Sequence, residues 1–467
     1  MFSFGRRLRA YMPVPTDDEE LSTKRRQPVF RLNSRRGTYL ILFVLCANVA
    51  FFYWSGKIQG GGSNFHRYRS LRDIWTLERN LPQHNLDLPS PEGREGRYIR
   101  FRNQMWDVGL NNQLEETILL SHLAMRSNRA FVFSAGANYP LNAWISGPTA
   151  GGPWPAGTDA PRAVNVAFWD QVCPSARRRI LIPDEVNAEL GIDFTSTKGD
   201  VFMDKWAQYL LDLPDNCIEL KDGTHQLFDT FFFGRKKLLD LWPQMAVSPV
   251  MTHFRFSGPV QDAVAHNLHL ISPSSPAIPW STEAPSGRYA PRPSNAGIQR
   301  FVAVHIHRGD FKDHCSKLLD MKAGFASWNL LRDLHDKFTP GAAEELYLRS
   351  CWPEVGQIVD RLHKIRAQHD HREGAGHELE NVFIMTDGQR AWVNELMLAL
   401  HEDGWRTVTS SLDLVLDPVE QSVNTAVDME IARRAEVFVG NGFSTLSSTV
   451  TALRLTLNWV PENIRFL

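Results

Sequence analysis

The sequence predicts an α/β protein: two β/α-alternating domains preceded by one N-terminal transmembrane helix. Three observations carry this expectation. No charged residue stands between Arg36 and Lys57, a gap long enough to cross a bilayer. From about residue 97 onward, short apolar runs alternate with amphipathic helical patterns. Two of those runs, Phe301–Ile306 and Val437–Val439, enter turns that contain glycine, as buried strands of a parallel sheet do. A length of 467 residues exceeds one ordinary core, so two domains are expected. A net charge of −1 lacks the basic field of a nucleic-acid binder.

Residues 1–38 form a polar tail in which nine Lys or Arg residues outweigh Asp17–Glu20. The apolar segment 39–56 follows, with Tyr39 at one end and Tyr53-Trp54 at the other. As a helix it covers about 30 Å, with aromatic residues at both interfaces and its basic flank on the cytoplasmic side. The alternative is a cleaved signal peptide, which the long basic leader and the lack of a small-residue cleavage site oppose. A type II membrane protein is therefore expected, placed in the Golgi or ER, with a stem at 57–96 that begins Gly/Ser-rich.

Everything beyond the stem would then be lumenal. Cys46 lies in the span, leaving Cys173, Cys217, Cys315 and Cys351 in an oxidising compartment. Four cysteines allow three pairings, and free thiols are a further alternative. Pairs 173–217 and 315–351 are favoured because each stays within one expected domain. No Asn-X-Ser/Thr sequon occurs.

The first domain, 97–270, opens with a helical pattern over 112–127, where Leu114, Ile118, Leu119 and Leu123 share a face. Gly109, Asn111 and Asn112 stand at its start, and Ala130–Phe133 reads as a strand. Glu115 and Glu116 fit the first turn as dipole partners or as catalytic acids. Residues 134–162 read as a long loop whose Tyr139, Trp144 and Trp154 are available to an acceptor or to the interior. Phe228–Trp242 is expected to return to the core and a helix. A Pro/Ser-rich linker, 271–297, leads to the second domain, 298–467.

There β/α alternation resumes: a helix over 353–366, a polar loop holding His369, His371 and His377, a strand at 382–385, a helix over 389–401, a strand at 406–408, a helix from about 417 to 434, and the strand 437–439. A solvated loop explains the three histidines better than a metal cluster. At the end of the 301–306 strand, His305, His307, Arg308 and Asp310 arrive where ligands of open α/β sheets bind. An arginine fork suits phosphate oxygens; the plain alternative is a charged surface turn. After 437–439, Gly440-Asn441-Gly442 and Ser444, Thr445, Ser447 and Ser448 open a helix, an arrangement that resembles a phosphate cradle.

HIHRGDF (305–311), TDG (386–388), the closing VDMEIARRAEVFVGNGFSTLSS (427–448) and FRNQMWDVGLNNQLEETILLSHLAMRSNRAFVF (101–133) together resemble the GDP-fucose protein O-fucosyltransferase-like family, especially membrane-anchored fungal members. The resemblance runs from about residue 97 to the C-terminus. It implies a GT-B-like fold, two Rossmann-like domains facing a cleft, and inverting transfer of fucose from GDP-fucose to a protein or glycan hydroxyl. No metal or other cofactor is implied. Asn112 would then lie near the reacting sugar and acceptor, Gly109 would let the backbone approach, and Asp428 would hold the guanosine. Asp428 also has a plain capping reading, and Asp107, Glu115 and Glu116 all stay open as the base. One departure stands out: the family's His-X-Arg places its arginine where this chain has His307, with Arg308 one residue later. Successive strand residues face opposite ways. Shared work is expected, with Arg308 the larger partner. Another nucleotide sugar, or a non-catalytic sugar-nucleotide or glycoprotein binder, is the alternative.

Overall fold

The computed structural model describes residues 70–105, 108–133, 145–146, 161–229, 232, 237–273, 297–309, 311–341 and 343–467. All of them belong to one compact unit. The expected tail, the 39–56 span, Asp107, Asp310, most of the 134–162 loop and nearly all of the linker lie outside them. Among the described residues no helix is long and apolar enough to cross a membrane.

Two five-stranded parallel sheets form the frame. The first contains β1 (Tyr98–Phe101), β2 (Ala130–Phe133), β4 (Val164–Asn165), β5 (Arg178–Leu181) and β6 (Cys217–Leu220), in the order β4-β2-β1-β6-β5. The second contains β8 (Ile298–Ile306), β9 (Asn381–Thr386), β10 (Thr407–Ser410), β11 (Ala435–Gly440) and β12 (Ile464–Phe466), in the order β10-β9-β8-β11-β12. A short antiparallel pair joins β3 (Ile145–Ser146) to β7 (Arg255–Phe256).

β8 is the central strand of its sheet, and its side chains sort by the strand's period of two. Val302, Val304 and Ile306 pack with Val382, Ile384, Val437 and Val439 beneath the helices Val355–Glu373 and Arg390–Glu402. Phe301 and Ala303 face the other way, into a core that runs without a break to Ile99, Leu114 and Ile118 beside the first sheet. Burial on both faces requires apolar residues in succession, which is why the run reads as a strand of a parallel sheet.

The helix expected at 112–127 spans Leu110–Arg126, with Leu114, Ile118, Leu119 and Leu123 buried as its periodicity requires. Glu115, Glu116 and His122 are buried as well: Ser448 of the second half covers Glu115, while Glu116 accepts from the Met105 N–H and His122 meets Ser248 within the first half. Disulfides join Cys173 to Cys217 and Cys315 to Cys351, the favoured pairings. The end of the expected stem is folded: Gln83 is fully buried, Tyr98 donates to the Gly93 carbonyl, and Arg162 pairs with Glu92 at 2.5 Å.

Two elements differ from the sequence expectation. The helix at 353–366 continues to Glu373, so the polar stretch with His369 is helical, and His369 packs inward against Glu436 at 3.1 Å. The helix expected from 417 to 434 is broken into Pro418–Gln421 and Asn424–Arg434. Phe228–Trp242 returns to the core as expected, with Phe228, Phe232, Leu238 and Leu241 buried, and it carries the short helix Lys237–Asp240. The helix Gly258–Ile271 lies against Asn424–Arg434, where Gln261 bonds both Glu430 and Arg434.

Candidate functional site

The carboxyl ends of β8, β9, β10 and β11 converge on one edge of the second sheet. That edge is where open α/β sheets bind ligands. β8 delivers His305 and His307 on the same face. His305 is buried, and its Nδ1 lies 2.9 Å from the Ser447 hydroxyl. Burial first, and then the neighbouring His307, push its pKa down to about 3, so the ring is neutral. His307 is more open: its Nε2 meets the Asp387 carboxylate at 3.1 Å, and its ring stacks on Phe311 with centroids 4.2 Å apart.

Asp387 sits just past β9 and organises the turn. Its Oδ1 accepts the Arg308 backbone N–H at 2.6 Å while Oδ2 takes His307. Burial raises its pKa, but these bonds outweigh that and hold it below the ordinary aspartate value. Gly309 has φ +33°, and a Cβ there would stand 2.5 Å from Oδ2, so a side chain would push the carboxylate off the turn. Arg308 is only 6 % exposed, and its guanidinium lies over the Trp352 and Trp392 rings. The fork expected to be the larger phosphate partner is thus enclosed.

β11 leads into the second turn. Ser444 caps the helix Thr445–Thr456 by accepting from the Leu446 N–H. Ser447 accepts the Asn441 N–H at 2.9 Å while meeting His305. Asn441 is fully buried and structural: its amide donates to the Cys351 carbonyl and its Oδ1 accepts from Phe443. The glycines around it are explained by packing, since a Cβ on Gly442 would meet the Phe325 ring at 2.3 Å and one on Gly440 would meet Ser447 at 2.9 Å.

Asp428 lies where the helix Asn424–Arg434 approaches the same edge. Its Oδ2 accepts from Ser411, which follows β10, at 2.7 Å. Its enclosed Oδ1 has no hydrogen-bond partner among the described residues. Burial raises the carboxyl to about 7, with Ser411 opposing. No capping bond of Asp428 is seen; it sits inside the helix rather than at its start.

Across from these strand ends, Gly109 is exposed at the start of the helix Leu110–Arg126, with open space where a Cβ would stand. Asn111 and Asn112 occupy the first turn half-buried, and the Asn111 Oδ1 is enclosed without a hydrogen-bond partner among the described residues. One turn later, Glu115 reaches into the other half, accepting from Ser448 at 2.7 Å and Ser327 at 3.0 Å. Burial raises Glu115 to about 7, and raises Glu116, which accepts from the Met105 N–H, to about 8. Both are enclosed, which removes them from direct contact with an acceptor in this conformation. Among the described residues no group of three or more His, Cys, Asp or Glu is placed to hold a metal.

Sequence reasoning missed Ser411, Trp352 and Trp392 as parts of the site, and it singled out Asp387 only within the TDG motif, without a role. Asp387 had a readable signal, an acid just past the strand Asn381–Thr386; the two tryptophans had none.

No family model and no curated protein matches the chain. Solved structures resemble it slightly. POFUT1 in complex with GDP is 15% identical with a TM-score of 0.49, covering 80% of this chain and 98% of that one. NodZ α-1,6-fucosyltransferase soaked with GDP-fucose gives 9% and 0.38, covering 76% and 92%. A mutant of Arabidopsis thaliana FUT1 in complex with GDP gives 12% and 0.36, covering 82% and 73%. The case for a function rests on the site.

Proposed function

We propose that this protein is a glycosyltransferase that moves fucose from GDP-fucose to a protein or glycan hydroxyl with inversion. One observation carries the reading. The strand ends place the His307 ring and the N–H and hydroxyl donors that follow β11 on the same sheet edge as a half-buried carboxylate, Asp428, whose Oδ1 lacks a donor among the described residues. A nucleoside diphosphate supplies both complements: phosphate oxygens for the donors and base N–H groups for the carboxylate. The resemblance of the four motifs to O-fucosyltransferases, and a GT-B-like arrangement of the two sheets, agree with it.

In this reading His307, held by Asp387, faces the diphosphate together with the N–H groups and hydroxyls of the turn at Ser444 and Thr445. Negative charge grows on the departing GDP as the sugar carbon is displaced, so donors fixed in advance contribute most. His305 and Ser447 brace that turn; Asn441 shapes it. Gly109, Asn111 and Asn112 approach from the acceptor side, and Asp310 belongs to the donor turn by sequence. No metal is called for in this account. The enclosed Arg308 fork favours keeping a second reading, a lumenal protein that binds sugar nucleotide without turning it over.

We also place the protein as a type II membrane protein of the Golgi or ER, through the 39–56 span. Two disulfides support an oxidising lumen. Donor hydrolysis by the lumenal part, residues 57–467, against a panel of nucleotide sugars tests the proposal. Turnover of GDP-fucose alone supports it. Turnover of another donor reassigns the sugar, and GDP binding without turnover favours the second reading.

A further inference from the structure

Arg308 follows His307 at the end of β8, and the two side chains leave the chain on opposite faces. Arg308 goes to the side of Val302, Val304 and Ile306. There its guanidinium carbon lies 4.4 Å from the centre of the Trp352 ring and 4.1 Å from that of Trp392. One terminal N–H donates to the Pro353 carbonyl, and the enclosed Nε has no hydrogen-bond partner among the described residues. Gly388 completes the enclosure, since a Cβ there would stand 3.0 Å from Trp392 and 3.4 Å from the Arg308 side chain. Three segments distant in sequence build this box: the end of β8, Trp352-Pro353, and the 386–388 turn with the helix Arg390–Glu402 that follows it and carries Trp392.

A desolvated guanidinium between two indoles is strongly held. A fork reserved for phosphate would keep its N–H groups turned toward the ligand. We infer that Trp352 and Trp392 are positioning residues for the donor site: they withdraw Arg308 from the diphosphate and make it the pin that fixes the His307–Gly309 turn. The inference rests on the donor reading above. Asp387 holds the turn from one side, by the Arg308 N–H at 2.6 Å and by His307 at 3.1 Å. The box holds it from the other, through the Arg308 side chain. His307 is left as the side chain of this pair that meets the donor, and its place depends on two tryptophans that need not touch the ligand.

The test measures GDP affinity and KM against kcat for GDP-fucose on the lumenal part, with melting temperature as the control for folding. Trp392→Ala is expected to weaken GDP binding roughly ten- to thirty-fold, the scale of a buried cation–π contact. Trp392→Phe, which restores a ring over the guanidinium, recovers most of that loss. Arg308→Lys keeps the charge but loses the planar stack, so it falls with Trp392→Ala, and the double variant is no worse than either single one. Direct phosphate binding by Arg308 predicts the reverse: lysine retains much of the affinity and Trp392→Ala is silent or additive. That pattern overturns the inference. A second readout is the Arg308 Nε–H resonance in arginine-labelled protein. It is expected to carry a ring-current shift that Trp392→Ala removes and GDP leaves in place; release on adding GDP overturns the box as a fixed pin. A parent protein that binds no GDP removes the donor reading and the inference with it. GDP binding that ignores Trp392→Ala removes the inference alone.

Discussion

Glu115 shows how one buried side chain serves both halves of the molecule. Its carboxylate is satisfied by Ser327 and Ser448, yet burial raises its pKa from 4.5 to about 7. The folded state therefore holds a proton that the unfolded state has released, and stability falls as pH rises through that window. His122 and His305, pushed down to about 4 and about 3, act in the opposite sense: the unfolded state takes up protons as pH falls below about 6.5, so stability falls with them. The difference between parent and Glu115→Gln isolates the carboxylate. Across pH 5 to 7 the parent should lose melting temperature relative to the variant; parallel curves would show that Glu115 does not titrate there. Glu115→Ala should cost about 1–3 kcal/mol, because it strands buried hydroxyls, and is read from denaturant unfolding. At the same scale, Asn112→Ala is expected to lower turnover while leaving GDP affinity nearly intact. Equal loss of both, with normal stability, would mean that the cleft is arranged differently.

At the scale of elements, the strands were the most legible part. Runs such as 301–306 and 437–439 are buried on both faces, so the sequence shows them without help from distant residues. The helix Val355–Glu373 was harder. Ile358, Leu362, Ile365 and His369 continue one inward stripe, but the last member is polar and its surroundings are charged, so the pattern fades before the helix ends. The aromatic box was not legible at all, because Trp352 and Trp392 reach Arg308 from segments 44 and 84 residues away in the chain. The disulfide Cys315–Cys351 ties the helix after the donor turn to the segment that leads into Trp352. Replacing both cysteines by serine should cost about 2–5 kcal/mol in stability. It should also weaken GDP binding by loosening the box; an unchanged affinity would separate the bridge from the site.

At the scale of the whole molecule, two sheets share one continuous core, and Glu115, Gln261 and Asn267 cross between the halves through hydrogen bonds. The expectation of two β/α layers was readable from alternation alone. The extent of the shared core was not, since contacts between halves leave no local period. Removing residues 1–56 should leave folding intact in an oxidising host, because His66–Leu467 forms a compact unit of its own. Aggregation of that truncated protein, with active full-length protein in detergent, would contradict the proposed separation of a membrane anchor from a lumenal part.

The central claim is that the carboxyl edge of the second sheet holds a guanosine diphosphate. Calorimetric titration of GDP into residues 57–467 tests it most directly, with Asp428→Asn and His307→Ala alongside. Losing the base-side carboxylate or the phosphate-side donor should each cost about 1.5–3 kcal/mol, roughly ten- to a hundred-fold in affinity. The account predicts saturable 1:1 binding by the parent and weakened binding by both folded variants. No binding by the parent, or equal binding by all three proteins, would contradict it.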